Sequence, residues 1–524
     1  MKPIDLRAST TSRPGFVWLS YLVVVGGGLM IGLFSYRRGA QLYLGFGIAV
    51  LALVLALWAK FPRVALGATV LLALIGDIKT ASWFPFTKNF SSRESILFVS
   101  DAVSISPFEL SLAAGLVSVA WHNMSTIGRL LKPAPLTRPM MVFAAFCLFG
   151  FVTGMAKGGD FRIALFEIRP LLYLPAAYLL FVNVCTTRRD HLRLLGVALV
   201  AIVIQSFLSL NYLRQLDRIE RSEVESLIDH GSAIGMNLLA LVLVLAIVTP
   251  RVPRWVPWVS AISLVPVGWV YIVSQRRAAI VALGGAMVLV ALHLWWRQRT
   301  TFWKIVPVVT ICFVGYVGAF WSVESAAGFP AQAVKTVVAP DQVSDADASS
   351  NVYRDIEKYD LWATIRADPL DGQGFGRPFL RPIPLPDISV FEFNEYIPHN
   401  SLLWVWIKTG VGGFVTLLYI IARSMTLGTE RYRRMPKGPD MVVALAMLGF
   451  VVMFAIFLFV DIAWEARNVL LLAMAFALCT GTFVERPEVE SPESPPPRRP
   501  SKKENLEHRV DVDVRPRIAE RAAS

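Results

Sequence analysis

The sequence has little charge for its length. Only 17% of the 524 residues are charged, 55% are hydrophobic, and the mean hydropathy is +0.55. Soluble domains carry about 25% charged residues, so this composition excludes a soluble enzyme and a disordered chain. The formal net charge of +13 does not require a nucleic acid partner, because Lys and Arg accumulate in the cytoplasmic loops of membrane proteins.

Cysteine is also scarce. The four cysteines lie in or beside apolar runs without metal-ligand spacing, which excludes a disulfide framework and a zinc site. The sequence contains no Walker loop, Rossmann fingerprint, HExxH or GxSxG, so nucleotide hydrolysis and serine or zinc hydrolysis have no support. We therefore expect neither a metal nor a cofactor.

Long apolar runs are abundant, and a membrane-spanning helix needs about 20 such residues. Because only helices satisfy the backbone within one segment in lipid, we predict an all-α polytopic membrane protein. The predicted spans are 16–34, 41–59, 64–78, 102–120, 139–156, 163–183, 193–211, 233–249, 256–274, 278–296, 304–321, 400–422, 441–460 and 467–484. Arg37 and Arg38 would then lie on the outer side, against the usual charge bias, so the count is about 12–14.

These spans divide the chain into four parts. Residues 1–321 and 399–484 form the membrane bundle, 322–398 a large loop containing short helices, and 485–524 a proline-rich tail predicted to be disordered. Five basic loops fall on one side and mark the cytoplasm. The loop 322–398 has twice as many acidic as basic residues and lies opposite, in the periplasm, whereas the tail is cytoplasmic.

Within the large loop, residues 351–367 have the spacing of a surface helix with Asn351 as its N-cap. The glycines and prolines of 369–378 then end it with turns. Structureless loops of this length are uncommon unless they are functional or disordered. We interpret the loop as a lid or acceptor-binding element, the alternative being a solvated connector.

The strongest candidate for chemistry is His399. Steps of four and three residues place His399, Leu403, Trp406, Gly410 and Gly413 on one helix face, where the glycines permit close packing of a neighbouring span. We predict that His399 lies in the first turn of this helix, whose N-terminus favours phosphate and a neutral, proton-accepting imidazole. The alternative is an interfacial histidine above an ordinary helix-packing glycine pair.

Arginines on the outer side form the second group of candidates. Arg276 and Arg277 lie in a hairpin that alternation places outside, where arginine forks would bind a diphosphate; an inverted local topology is the alternative. Arg169 lies within a span and could pair with Glu109 of another helix, or its side chain could extend to the membrane surface.

Weaker candidates flank these residues. Arg214, Arg218 and Arg221 form one stripe in the loop 212–232, although salt bridges within a helix explain most of it. Asp461, Glu465 and Arg467 form a short outer hairpin, where one carboxylate could orient His399 or bind an acceptor hydroxyl. Lys408 is a further charge within a predicted span.

The element His399-Asn400, nine residues, Gly410-x-x-Gly413 resembles the signature of the O-antigen ligase and polymerase superfamily, directly after the largest loop as in that family. Three further stretches resemble it in order: Ile234-Gly-Met-Asn-Leu-Leu-Ala, Ser274-Gln-Arg-Arg-Ala-Ala and Asp368-Pro-Leu-Asp-Gly-Gln-Gly-Phe-Gly. The chain departs from the family pattern in having two arginines followed by Ala, rather than one followed by Gly.

The resemblance implies a glycosyltransferase of the bacterial inner membrane that needs no metal. Its donor would be a glycan on undecaprenyl diphosphate, and its acceptor a sugar hydroxyl on lipid A-core (ligase) or on a lipid-linked repeat unit (polymerase). His399 would activate the acceptor, with Asn400 beside it; Arg276 or Arg277, with Arg169 as a second, would hold the diphosphate. Other partners would be membrane lipids and polysaccharide assembly proteins. The span count slightly favours the polymerase; the rival hypothesis is a flippase for lipid-linked sugars, although the sequence has no convincing internal repeat.

Overall fold

The computed structural model describes residues 53–75, 86–92, 104–216, 228, 230–323, 325, 327–343, 345–385 and 393–481. The predicted span 16–34, most of the span 41–59 and the predicted tail 485–524 lie outside these residues. The described residues belong to one compact unit, Met1–Thr482.

In the described part of the chain, the regular structure is helical. The helices are α1 (Pro62–Ile75), α2 (Pro107–Ile127), α3 (Thr137–Ala156), α4 (Phe161–Val184), α5 (Arg188–Gln215), α6 (His230–Val248), α7 (Trp255–Val273), α8 (Arg277–Arg297), α9 (Arg299–Ala319), α10 (Phe329–Val338), α11 (Asp345–Ala367), α12 (Ser401–Arg434), α13 (Pro439–Val460) and α14 (Ala466–Thr480), with a 3₁₀ turn at Pro340–Gln342.

The prediction of an all-α polytopic membrane protein is confirmed. Every predicted span from 64–78 onwards coincides with one of the helices α1–α9 or α12–α14. Nine helices of the described residues are long and apolar enough to cross a membrane, namely α3–α9, α12 and α13, and α1 and α14 are shorter apolar helices. The large loop contains helices as expected, α10 and α11.

The core of the bundle lies around α6 and α13. Their most apolar windows are 78% buried within the protein, compared with 17% for α7 and 6% for α9. A helix that is apolar on all sides is stable only in a core or in lipid. The outer helices therefore present side chains such as Trp258, Ile262 and Ile311 to the bilayer.

The loops gather at two opposite ends of the bundle. At one end, Arg297 of α8 donates hydrogen bonds to the carbonyl oxygens of Arg433 and Met435 (2.7 and 3.1 Å), stabilising the C-terminus of α12. At the other end, the Ser401 hydroxyl donates to the carbonyl oxygen of Asp461 (2.8 Å). His399 and the basic loops thus lie at opposite ends of α12, as the sequence predicts.

The segment 369–378 does not remain entirely on the surface. Its middle part, 372–376, is buried as an irregular strip between α3 and α12, while 369–371 and 378 stay exposed. The amides of Gln373 and Phe375 donate to the carbonyl oxygens of Ile407 (2.8 Å) and Gly150 (3.2 Å). The Phe375 ring is fully buried. Non-helical backbone inside a membrane protein is stable only where the protein itself satisfies its polar groups, and these hydrogen bonds meet that condition.

Candidate active site

His399 lies immediately before α12 rather than within it. The cap is Asn400, whose side-chain oxygen accepts a hydrogen bond from the Leu403 amide (3.0 Å), and the helix begins at Ser401. The prediction that His399 lies in the first helical turn is therefore wrong by two positions. The side chain of Asn400 takes the free amide that would otherwise point towards a ligand.

A carboxylate from the large loop holds His399. The Nδ1 atom of His399 lies 3.2 Å from Oε1 of Glu357, and the His399 amide donates to Oε2 of the same carboxylate (2.9 Å). The side chain of Glu357 is 3% exposed, and that of His399 is 22% exposed. An Nδ1–H that donates to Glu357 leaves Nε2 as the nitrogen able to accept a proton.

Helix α11 places Glu357 through one buried face. Tyr353, Glu357, Asp360 and Thr364 follow at helical spacing and are all buried. Tyr353 packs edge-on against the His399 ring, 5.7 Å between centroids. The helix starts at Asp345, so the predicted N-cap at Asn351 is wrong and Asn351 is an interior residue.

Burial controls the ionisation of two groups on this face. It raises the pKa of Tyr353 to about 12, and the charge of Glu357 acts in the same direction, so the phenol keeps its proton at neutral pH. Burial also raises the pKa of Asp360 above its usual value, against the hydrogen bond from the Ile383 amide to its Oδ1 (3.2 Å). The carboxylate in direct contact with the His399 ring is that of Glu357.

Arg276 and Arg277 form the hairpin between α7 and α8, where Gln275 has a positive φ of 48°. Arg277 donates from Nη1 to the Thr336 hydroxyl of α10 (3.3 Å) and interacts electrostatically with Arg354 of α11. The start of α8 is fixed by the Asn237 side chain, which donates to the Ala279 carbonyl oxygen (2.7 Å).

Two residues of α11 lie near these side chains: Glu357 binds His399, and the like charge of Arg354 acts on Arg277. Arg354, which interacts with Arg277, and Glu357, which binds His399, are three residues apart, within one turn of that helix. The His399 imidazole thus contacts α11, and the Arg277 guanidinium contacts α10 and is close enough to α11 for the charge of Arg354 to act on it. Arg276 is partly buried beside Arg277.

Arg169 has the partner proposed for it. Its Nε lies 3.4 Å from Oε1 of Glu109, and its Nη1 donates to the Asn89 side chain (3.2 Å). Glu109 also accepts from the Tyr173 hydroxyl (2.7 Å) and caps its own helix through Ser106. This network joins α4 to the start of α2.

The remaining predicted residues are placed as follows. Arg214 is exposed in the last turn of α5, and Arg218 and Arg221 lie outside the described residues. Asp461 is buried, its carboxylate accepts from the Ile462 amide (2.8 Å), and its carbonyl oxygen holds Ser401. Asp461 thus fixes the start of α12, while Glu357 takes the position beside His399 that the sequence left open for Asp461.

The two glycines of the His399 helix differ in surroundings. Gly410 has φ 69° and ψ −179°, which breaks α12, and the Val411 amide then donates to the Leu370 carbonyl oxygen (3.1 Å). A Cβ at Gly410 would lie 2.2 Å from that same oxygen, so this glycine admits the inserted loop rather than a neighbouring span. At Gly413 a Cβ would lie 2.0 Å from the Thr409 hydroxyl of the same helix and 3.3 Å from Phe146 of α3.

A buried ion pair lies beneath the site. Lys408 and Glu167 approach to 2.6 Å with side chains 1% and 0% exposed. Glu167 also accepts from the Gly376 amide, and Lys408 donates to the Arg377 carbonyl oxygen, both at 2.6 Å. The pair fixes the inserted loop between α4 and α12.

Sequence reasoning missed Glu357 and the Lys408–Glu167 pair. For Glu357 a signal was present, since it lies four residues after Tyr353 within the predicted helix 351–367. For the buried pair no local signal exists, because 241 positions separate its members. Among the described residues no group of three His, Cys, Asp or Glu side chains could hold a metal ion.

Part of the chain is similar to a known protein family. Residues 262–418 match a family model described as O-antigen ligase. This stretch includes the arginine hairpin, the large loop and the His399 element, but not Arg169, Arg214 or Asp461.

A curated relative supports the same family. The O-antigen ligase of Salmonella typhimurium is 27% identical over 110 residues, which is 20% of this chain and 27% of the relative. The chain thus matches about a quarter of the length of that relative. Together with the apolar helices, these similarities indicate a multi-pass bacterial inner-membrane protein. The family model and the relative support placing this chain in the O-antigen ligase superfamily.

Proposed function

We propose that this protein transfers a glycan from an undecaprenyl-diphosphate-linked donor to a sugar hydroxyl at the periplasmic end of the bundle. The observation that carries the proposal is the pairing of His399 with the buried carboxylate of Glu357, one helical turn from the residue that interacts with Arg277. A histidine held in this way by a carboxylate is the arrangement of a general base.

In the proposed reaction, Nε2 of His399 accepts the proton of the acceptor hydroxyl. The hydroxyl oxygen attacks the anomeric carbon of the donor, and the bond from that carbon to the diphosphate oxygen breaks. The diphosphate leaves with the bonding electrons and gains negative charge. Glu357 stabilises the imidazolium that forms, which later releases its proton to water.

The arginine hairpin fits the leaving group. A guanidinium can donate two parallel hydrogen bonds to a phosphate, and these strengthen as charge develops. We assign this task to Arg277 and Arg276. The like charge of Arg354 beside Arg277 adds positive potential that a diphosphate would neutralise.

Some of the remaining candidate residues hold the structure around the site, and others would contact the substrate. Asn400 and Asp461 fix the start of α12, on which the position of His399 depends. Arg169, bound to Glu109, joins the first half of α4 to the start of α2. Arg214, with Arg218 and Arg221, would contact the donor from the α5 end, and the large loop would cover the site.

The identity of the acceptor distinguishes a ligase from a polymerase. The family model and the relative are both described as O-antigen ligase, which favours lipid A-core as acceptor over another lipid-linked repeat unit. Deleting the gene distinguishes them. Loss of a ligase leaves polymer on the lipid carrier, whereas loss of a polymerase leaves single repeat units on their usual acceptor.

The test of the chemistry is His399→Ala. We expect transfer to fall by about 10²–10⁴-fold because the general base is lost, while the protein accumulates in the membrane as before. The measurement is the amount of glycan joined to acceptor by purified protein with a lipid-linked donor. Wild-type transfer in this variant would refute the proposal.

A further inference from the structure

A second charged region lies at the end of the bundle opposite to His399. It is a cavity of about 1050 Å³ between the loop before α3, the first turns of α3 and the second half of α12. Among the described residues that line it, four are basic and none is acidic; the basic ones are Arg129, Lys132, Arg138 and Arg423. Such an excess of one sign in a cavity favours an anionic ligand.

Two of these arginines line the cavity from neighbouring helices, Arg138 from α3 and Arg423 from α12. Arg138 is in the first turn of α3, whose 20 residues span about 30 Å. Arg423 follows Ser401 along α12 by about 33 Å at the rise of an α-helix. Since the hydrocarbon core is about 30 Å thick, both arginines lie near the boundary opposite to His399, where lipid headgroups begin.

The ion pairs of the described residues leave this cavity positively charged. None of them involves Arg129, Arg138 or Arg423. Lys132 is held through Asn183, whose carbonyl oxygen lies 3.5 Å from its Nζ. Burial and the charge of Arg63 lower the pKa of Lys132, and a bound anion would offset both effects.

The rest of the wall is mainly apolar, and three of its side chains are exposed. Val142 of α3 and Val415 and Tyr419 of α12 line the cavity and are 47–54% exposed. Exposed apolar side chains at this depth contact acyl chains, and tyrosine is enriched at the membrane surface. The cavity thus combines a basic recess with a wall suited to hydrocarbon.

We propose that this cavity binds the phosphate headgroup of an anionic phospholipid, with an acyl chain lying along Val142, Val415 and Tyr419. Basic recesses between membrane helices on the cytoplasmic side bind such headgroups. In the proposed orientation this end of the bundle is cytoplasmic. The site is independent of the glycosyl transfer proposed for His399.

The test compares short-chain phosphatidylglycerol with phosphatidylcholine of equal chain length, added to the full-length protein in a neutral detergent. We expect phosphatidylglycerol to raise the Tm and phosphatidylcholine to have at most a small effect, because only the former is anionic. In the double variant Arg138→Gln/Arg423→Gln this rise should shrink at least twofold. Inorganic phosphate at the same concentration tests a free anion as ligand.

The matched control is Arg251→Gln/Arg254→Gln, which removes two exposed arginines from the loop between α6 and α7, outside the cavity. It should keep the full rise. Equal rises in both double variants would overturn the proposal, and so would a rise with inorganic phosphate as large as that with phosphatidylglycerol. If the cavity variant has a lower Tm without lipid, native mass spectrometry of retained phosphatidylglycerol gives the same comparison, and equal retention would refute the site.

Discussion

Lys408 in α12 and His399 just before it are nine residues apart, and each pairs with a glutamate. One pair is almost completely buried, and the other is partly exposed. Lys408 and Glu167 approach to 2.6 Å and are buried almost completely. His399 and Glu357 approach to 3.2 Å, and the histidine side chain is 22% exposed. One partner comes from a membrane helix and the other from the large loop.

The difference shows why a charge within a span is insufficient to locate a site. Such a charge suggests function by default. Lys408, however, is enclosed by Glu167, the Arg377 carbonyl oxygen and the Tyr396 ring, so no substrate reaches its ammonium group. The His399 side chain is oriented by its glutamate and yet remains partly exposed, so a reactant can reach it, which is what chemistry requires.

The largest effect should come from breaking the buried pair. In Lys408→Met, Glu167 remains as an uncompensated buried charge, and the free energy of unfolding should fall by about 3–5 kcal/mol. Thermal unfolding in detergent and the amount of protein in the membrane measure this loss.

The control is the double variant Glu167→Gln/Lys408→Met, which removes both charges and keeps an acceptor for the Gly376 amide. Replacing both partners of a buried pair is often nearly neutral, so much of the stability should return. A single variant as stable as the wild type would show that the pair does not hold the inserted loop.

A smaller loss is expected from Gly374→Ala in that loop. Gly374 has φ +82°, and a Cβ there would lie 2.2 Å from the Gly154 amide nitrogen of α3. The left-handed conformation costs about 1–2 kcal/mol for a residue with a Cβ, and the overlap should add about 1–3 kcal/mol. Thermal unfolding measures the sum.

Gly158→Ala separates the two contributions. Gly158 has nearly the same φ, +81°, and a Cβ at this position would have no neighbouring atom within 4 Å. It should therefore show the conformational cost alone. Equal losses at both positions would mean that the loop does not pack tightly against α3.

The smallest effect on the free energy of unfolding should come from changing the partly exposed pair of His399 and Glu357. Glu357→Gln keeps the size of the side chain but removes the charge that stabilises the imidazolium, so kcat should fall about 10–100-fold, as is typical for partners that orient a functional histidine. KM for the donor and the thermal stability should change little. Transfer assays at varied donor concentration measure both constants.

Two variants check this assignment. Glu357→Asp should recover part of kcat, because the carboxylate charge is retained. Asp355→Asn removes an exposed acid from the same helix and should leave kcat unchanged. A fall in stability that accounts for the lost activity of Glu357→Gln would instead assign Glu357 to the fold.

The membrane architecture followed from the sequence because length and apolarity fix a spanning helix. Spans such as 139–156 and 441–460 match α3 and α13 within a few residues. The Glu109–Arg169 pair could also be predicted from the sequence, since both charges lie in apolar runs and need partners. The insertion of 372–376 into the bundle could not be predicted, because glycines at 372, 374 and 376 predict turns equally well on a surface.

The site was predicted only in part. His399 and Arg277 stood out as candidates because each is unusual for its place in the chain, and their roles stay predictions. Glu357 is one of twelve acids in its loop, and only the burial of one face of α11 distinguishes it. The sequence alone left the first residue of α12 undecided by one or two positions. In the structure the Asn400 side chain caps the helix, so His399 lies before it.

The location of Glu357 in the large loop has a consequence for engineering. A loop exchanged between relatives to change the acceptor would also exchange the carboxylate that orients the imidazole and the glycine strip that Lys408 anchors. If the large loop is the acceptor-binding element that the sequence predicts, acceptor choice and reactivity are inherited together, and a productive chimaera must carry α11 and 368–378 as one unit with the first turns of α12.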